Sequence, residues 1–304
     1  MSDYAPRIRV FAKRGFFLVR DGLNLTFYMR NRHREIAPAI LNALDTYLAA
    51  LPVNALGLYA DEEGYWQNLD EAGWATVRRD MIANHHLIFH LVDGASAEHR
   101  YDFRYYGKSF REPVLPQDVD GVSAVSFWLP TNFLEEYGPE PVRALALRIA
   151  ATLPFCSGHV GLSFNGDAEL LMVQREIREP CFRYPGMDIV EVGAISRNIG
   201  SRLRGPSWMT FLGPPVLDAL GGVEGLRGRL QSPGTTVEPL VPDRAVITLG
   251  PWPESGDLEA GRTLPAYREL ARVIEPWLYQ QPRQDNDAFT AEDWRRWERR
   301  FLDD

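Results

Sequence analysis

Apolar and polar residues along three stretches of the chain follow the order of a strand and then an amphipathic helix. Each stretch begins with an apolar run, and after a short polar connection apolar residues recur every three or four positions. That second spacing predicts a helix with one buried face. The three pairs are Leu23 to Arg30 with Glu35 to Leu51, Val122 to Leu129 with Pro139 to Leu153, and Arg244 to Leu249 with Thr263 to about Tyr279.

Proline near the start of each predicted helix supports these boundaries, because the first amides of a helix have no acceptor within it. These residues are Pro38, Pro139 with Pro141, and Pro265. The regularity leaves two interpretations open. Either a strand–helix unit is duplicated, with related subdomains over residues 1–165 and 166–304, or the units are the common elements of one α+β domain.

Several further strands are predicted in succession before a helix, which argues against an alternating parallel fold. Asp21-Gly22 lies between two apolar runs, Phe16 to Arg20 and Leu23 to Arg30, and predicts a tight hairpin. The predicted class is therefore α+β, with mixed, largely antiparallel sheets flanked by amphipathic helices. The other predicted elements are strands at 7–12, 86–92, 101–106 and 160–164, weaker strands at 56–60 and 208–212, and helices at 70–81, 223–231 and 291–302.

The charge of the chain favours a basic partner. In its 304 residues, 41 acidic side chains outweigh 33 basic ones, for a net charge of −8. A nucleic-acid binder needs a basic surface, so nucleic acid is not the expected partner. An acidic surface attracts basic proteins, of which nucleases are examples. The simpler alternative is that the negative charge serves only solubility.

The cellular setting follows from what the sequence lacks. Cys156 and Cys181 are too few for a disulfide framework, and the N-terminus has no secretory signal pattern. No apolar run is long enough to span a bilayer, so no membrane partner is expected. We expect a cytoplasmic protein, and nothing in its sequence indicates a cofactor or an oligomeric state.

Three near-matches to catalytic or metal motifs each lack something that the chemistry requires. His86 and His90 would share one face of a strand, but no third metal ligand accompanies them. Cys156 and His159 are close in sequence, yet a buried, inert cysteine at a helix-to-strand turn is the simpler interpretation. Asp243 opens a strand, but no lysine accompanies the next acid, as a magnesium-dependent nuclease site would need. No catalytic or metal site is predicted.

One acidic segment, Asp61 to Glu71, also carries the aromatic residues Tyr65 and Trp66. Aromatic anchors among acids are what a surface for a basic protein would use, although a solvated loop has the same composition. The candidate partner-binding residues are Asp61, Glu62, Glu63, Tyr65, Trp66, Asp70 and Glu71.

Glycine, proline and aromatic residues punctuate most of the chain in a recognisable pattern. The segments that carry it are Trp128 to Gly138, Leu153 to Gly161, Arg183 to Gly186, Trp208 to Pro215, Thr248 to Pro253, and Leu264 to Tyr267. Together they resemble the type VI secretion immunity-protein family, and none of these motifs is catalytic.

This resemblance implies an immunity protein rather than an enzyme, folded as a single immunity-type domain over residues 1–304. Its partner would be a cognate antibacterial nuclease toxin, of VRR-Nuc or a related restriction-endonuclease-like type. Such proteins bind the toxin stoichiometrically and cover its DNA-binding surface. Two other classes remain open: an intracellular adaptor without a toxin partner, and an enzyme with a dispersed site. A deep polar pocket that collects Cys156 with His159, or the carboxylates, would favour the enzyme.

Overall fold

A strand of thirteen residues, Phe17–Met29 (β2), lies at the centre of the molecule and is buried along its whole length. This is seen in a computed structural model that describes residues 5–13, 15, 17–83, 87–94, 100–109, 120–240 and 243–303. Most of β2 alternates apolar with polar residues, and buried polar positions require partners of their own. The whole architecture is arranged around this strand.

Twelve strands in the described part of the chain form one sheet, and every strand pair except one is antiparallel. Besides β2 they are β1 (Arg9–Phe11), β3 (Leu58–Ala60), β4 (Trp66–Asn68), β5 (Ile88–Val92), β6 (Asp102–Tyr106), β7 (Ser123–Pro130), β8 (Ser157–Gly166), β9 (Asp188–Ile189), β10 (Met209–Leu212), β11 (Thr235–Leu240) and β12 (Arg244–Leu249). The order across the sheet is β11-β12-β10-β8-β2-β7-β6-β5-β3-β4, with β1 beside β2 and β9 parallel to β8. The predicted α+β class with a mixed, largely antiparallel sheet is confirmed.

Helices flank this sheet and cover most of its surface. They are α1 (His33–Leu48), α2 (Glu71–Ala83), α3 (Thr131–Tyr137), α4 (Pro139–Thr152), α5 (Leu171–Arg183), α6 (Val192–Ser196), α7 (Val216–Ala219), α8 (Gly222–Arg227), α9 (Pro265–Ile274) and α10 (Ala291–Glu298), and a turn of 3-10 helix at Glu275–Trp277 follows α9.

The alternation along β7 shows how the two faces of the sheet are used. Val125, Phe127 and Leu129 belong to the main core, which also contains the apolar faces of α1 and α4. Ala124 and Trp128 belong to a second cluster, which includes residues of α6. Both faces of the central sheet are therefore covered, and strand residues that would meet water in a one-sided sheet are buried instead. A third cluster joins β10 and β12 to α7 and α9.

The predicted hairpin at Asp21-Gly22 is wrong, because the chain passes straight through this dipeptide inside β2. The Asp21 carboxylate accepts hydrogen bonds from the Ile8 N–H at 2.8 Å, from Arg9 and from the Thr131 hydroxyl. These bonds satisfy a carboxylate that the turn would have exposed to solvent. Gly22 pairs with β7 on one side and with β8 on the other, so two neighbours fix it as extended strand.

The other predicted elements are largely found, with shifts at their ends. Helix α1 begins at His33, which places Pro38 inside the helix rather than in its first turn. Helices α3, α5, α6 and α7 and strands β4, β9 and β11 were not predicted. Strands from both sides of position 165 share the one sheet, and a relationship between the halves 1–165 and 166–304 stays a prediction.

Close packing beside Gly22 gives a testable consequence. A Cβ at this position would lie 2.1 Å from Nδ2 of the Asn165 side chain, whereas a Cβ at Gly161 would meet nothing closer than 3.6 Å. We expect Gly22→Ala to lower the free energy of unfolding by about 1–3 kcal/mol, since overpacking strains a full interior. Gly161→Ala is the matched control in the neighbouring strand and should cost less than about 1 kcal/mol. Urea unfolding of both variants measures the difference, and equal losses would contradict this packing.

Candidate partner-binding surface

The predicted acidic segment folds as a hairpin, β3 and β4, at one end of the sheet. Asp61 organises the turn: its carboxylate accepts the N–H groups of Glu63 at 3.1 Å and Tyr65 at 2.8 Å, and the side-chain amide of Gln67 at 2.8 Å. These bonds, first of all the one from Gln67, lower the pKa of Asp61. Gly64 closes the turn with a φ of 86°, a conformation that glycine adopts without strain. Asp61 is therefore charged and fixed in place.

Exposed aromatic and acidic side chains project from this hairpin. Tyr65 is 65% exposed and Trp66 is 47% exposed, values that are high for such large apolar groups. Glu62 and Glu63 are also exposed. The turn fixed by Asp61 thus presents two aromatic rings beside two exposed carboxylates.

The remaining two candidates lie at the other end of β4, where α2 begins. The Asp70 carboxylate accepts the Gly73 N–H at 2.9 Å and so caps the helix, while Glu71 is exposed in its first turn. Acidic groups therefore flank a strand about 10 Å long on both sides. The structure brings all seven predicted residues into one segment, although their role in binding stays a prediction.

Trp66 is supported by a series of contacts that runs through His90 to Asp102 and Arg104. Its ring lies 5.1 Å from the ring of His90, edge to face, and His90 Nε2 is 2.8 Å from the Asp102 carboxylate. Arg104 also binds Asp102, at 3.1 Å, and stacks on Trp128. Burial opposes ionisation of Asp102, but Arg104 and His90 outweigh it and lower its pKa. The sequence did not predict this support, because its residues come from strands far apart in the chain.

His90 was considered as one half of a metal pair. His86, its proposed partner, lies outside the described residues. The His90 imidazole is engaged by Asp102 and Trp66 instead. Among the described residues, no group of three or more histidine, cysteine or acidic side chains is arranged to hold a metal ion.

Cys156 and His159 each have partners other than one another. The Cys156 thiol donates to the carbonyl of Tyr28 at 3.2 Å, and burial raises its pKa to about 11. His159 Nε2 lies 3.3 Å from a carboxylate oxygen of Asp188. A thiol with so high a pKa is a poor nucleophile at neutral pH.

A cleft of about 750 Å³ opens elsewhere, beside β1 and the end of α1. Four arginines, at positions 7, 9, 20 and 100, contribute to its lining, and neither Cys156 nor His159 does. Arg9 is bound by Asp21, and Arg7 lies 3.3 Å from Glu135. Glu136 is the one carboxylate among the described residues of its lining, so the cleft brings together neither the cysteine and histidine nor a pair of carboxylates.

An ion-pair network that the sequence did not predict lies beside His159 of β8. Asp188 contacts His159 and, at 3.7 Å, Arg204, which in turn lies 3.7 Å from Glu298 of α10. Burial opposes ionisation of Asp188, but Arg204 and His159 outweigh it and hold its pKa at about 2. The alternation of polar and apolar residues along β8 was the available signal, but a strand with one face in solvent has the same pattern. The network instead ties the C-terminal helix to the central sheet.

The fold has a counterpart among solved structures. It is similar to that of the Pseudomonas aeruginosa T6SS protein PA0821, with a TM-score of 0.80, over 96% of this chain and 87% of that one. At 19% sequence identity, this likeness shows the fold alone. No curated protein sequence matches the chain.

The sequence profile of the TsiV family, described as type VI immunity for VRR-NUC, matches residues 39–301. The chain belongs to this family of type VI immunity proteins, which confirms the resemblance found in its sequence. Among the described residues, none of the helices has both the length and the apolar character needed to cross a bilayer.

The Asp188 network predicts a pH-dependent contribution to stability. The pKa of Asp188 is about 2 when folded and 3.8 ordinarily, so its ion pairs stabilise the protein above pH 4. That contribution, about 2 kcal/mol, is lost as the pH falls from 4 towards 2. We expect Asp188→Asn to destabilise the protein at pH 7 and the gap to wild type to shrink over this range.

Urea unfolding at pH 7, 4 and 3 provides the measurement. The exposed Asp218 offers a matched control, since Asp218→Asn makes the same chemical change without removing a buried ion pair. A gap between Asp188→Asn and wild type that is constant with pH would contradict the assignment.

Proposed function

We propose that this protein neutralises a VRR-Nuc nuclease toxin by binding it stoichiometrically and covering the surface with which the toxin engages DNA. It does this as a binding protein, without a catalytic step of its own. A toxin that cuts DNA acts where the DNA lies, so we expect the protein to act in the cytoplasm. Membership of the type VI immunity family supports the proposal.

The observation that carries the mode of binding is the charge of the hairpin and the start of α2. Residues 58–77 contain five acidic side chains and no lysine or arginine. A nuclease needs a basic surface to hold the phosphate backbone of its substrate. An acidic surface that approaches this region is attracted by the same charges, and complementary charge speeds the encounter.

The aromatic residues of the hairpin add the apolar part of the interface. Tyr65 and Trp66 retain exposed surface that a partner can bury, and such residues commonly supply most of the binding free energy. The fixed turn at Asp61 and the contact of Trp66 with His90 hold this region in place before binding. Little conformational entropy is then lost when the complex forms.

Co-expression with a cognate VRR-Nuc toxin tests the immunity function directly. We expect cells that produce both proteins to survive and cells that produce the toxin alone to die. A catalytically inactive form of the toxin should form a one-to-one complex by calorimetry. Death despite co-expression, or the absence of a complex, would refute the proposal for that toxin.

The contribution of charge to the rate of association with the toxin can be measured separately from that of direct contacts. The double variant Glu62→Gln/Glu63→Gln removes two exposed charges from the hairpin, and Glu176→Gln/Glu179→Gln removes two exposed charges from α5. We expect the hairpin variant to associate with the toxin about threefold to tenfold more slowly at low salt, because electrostatic steering raises association rates.

Stopped-flow association measured at two salt concentrations provides the comparison. The difference should fade at high salt, where exposed charges are screened, and the α5 variant should associate nearly as fast as wild type. An equal slowing of both variants would show that net charge, not the hairpin, steers the encounter.

A further inference from the structure

The strands at the two ends of the sheet differ in whether their outward backbone N–H and C=O groups are blocked. A strand at the edge of a sheet exposes N–H and C=O groups that can pair with another chain, and proteins usually block them. The strands at the two ends of the order across the sheet are β11 and β4, whereas β1 and β9 lie off this path. Only one of these two edges is blocked by the described residues.

Strand β11 is blocked at each of its three outward positions. Thr235 donates its N–H to the Ser232 carbonyl at 3.1 Å. The Val237 carbonyl accepts from the Arg227 guanidinium at 2.8 and 3.1 Å. Pro239 has no N–H to offer. No additional strand can form a regular ladder at this edge.

Strand β4 has the opposite character. The Asp61 N–H binds the Tyr65 carbonyl, and the Leu69 N–H binds the Gly57 carbonyl. Antiparallel ladders alternate with a period of two residues, so Gln67, midway between them, also directs its backbone groups at β3.

The backbone groups of Trp66 and Asn68 consequently point away from the sheet. Gly73 of α2 lies against the Asn68 carbonyl, where a Cβ would come within 2.3 Å of the oxygen. The Trp66 N–H, the Trp66 carbonyl and the Asn68 N–H are not hydrogen-bonded by the residues that the structure describes. Neither proline nor lysine protects this strand.

We propose that the open edge of β4 receives an extended, basic segment of the toxin as an additional strand of the sheet. The inference rests on the proposed function and specifies how the hairpin binds. Main-chain hydrogen bonds supply the pairing, as in other cases of strand addition. The acidic residues at both ends of β4 select a segment that carries lysine or arginine, and they disfavour pairing between two copies of this chain.

Strand addition beside β4 would also involve the exposed side chain of Trp66. Side chains alternate between the faces of a strand, and Trp66 lies on the face that carries His90. A strand added beside β4 would place its own side chains next to Trp66 on that face. A cation from the toxin could then stack on the indole while its neighbours contact Glu62 or Glu71.

The substitution Asn68→Pro tests the backbone contact selectively. It removes the outward N–H, which pairs with a partner strand of either direction, and an outward-facing position on an edge strand tolerates proline. Asn68→Ala is the matched control, because it removes the side chain and keeps the N–H. We expect Asn68→Pro to weaken toxin binding by about tenfold to a hundredfold and Asn68→Ala by less than about threefold.

Hydrogen exchange tests the same proposal without any substitution. The amides of Trp66 and Asn68, which have no partner among the described residues, should exchange quickly in the free protein and at least about tenfold more slowly in the complex with inactive toxin. The amides of residues 233–240, at the blocked edge, should not change. Circular dichroism and thermal unfolding of Asn68→Pro show whether the variant is folded.

The outcomes distinguish this inference from the function on which it rests. If wild-type protein forms no complex with the toxin, the proposed function fails. If a complex forms but the amides of Trp66 and Asn68 gain no protection, the toxin binds elsewhere and strand addition is overturned. Equal affinities for folded Asn68→Pro and Asn68→Ala would overturn it as well.

Discussion

The structure depends on one constraint: β2 is buried on both faces, yet it carries charged and polar side chains. An unpartnered polar group in such a place costs about 1–3 kcal/mol, and an unpaired charge costs more. For Asp21 the fold meets this constraint by bringing distant segments to the strand, whereas the side-chain nitrogen of Asn24 has no partner among the described residues. Strand β1 and the start of α3 satisfy Asp21. On the opposite face of the sheet, the network of His159, Asp188 and Arg204 ties α10 to β8. The long-range polar contacts therefore specify which elements cover the sheet.

Covering the centre of the sheet leaves its β4 end as the place where a partner can reach strand and side chains together. Helices α1 and α2 pack on one face there, and the other face carries Trp66 on the His90 ring. The opposite end is blocked at β11 by a proline and by Arg227. A stoichiometric inhibitor requires a rigid, exposed and charged surface rather than a reactive pocket. The hairpin has an exposed, charged surface of that kind, and His90, Cys156 and His159, the described groups that resembled metal or catalytic motifs, each contact other residues.

Local patterns predicted much of this architecture. The three strand–helix pairs were found because their apolar periodicity is strong and their helices are long. The failures have particular causes. Asp21-Gly22 has the composition of a turn, but bonds from Arg9 and Thr131 stabilise the extended form. Strand β4 is three residues long, too short for any alternation to show. Helix α5 begins at exposed apolar residues, Leu171 and Met172, which weakens the pattern of a single buried face.

The sequence by itself determined the α+β class, the positions of the long helices, the acidic and aromatic character of the 61–71 segment, and the family. These properties are local, or they are carried by the types and order of residues along the chain. Tertiary structure alone decided that Asp188 and Arg204 form a buried network, and that β4 has an open edge while β11 does not. Both depend on which strands become neighbours. Pairing between segments more than a hundred residues apart is set by the packing of the whole molecule, and no local pattern records it.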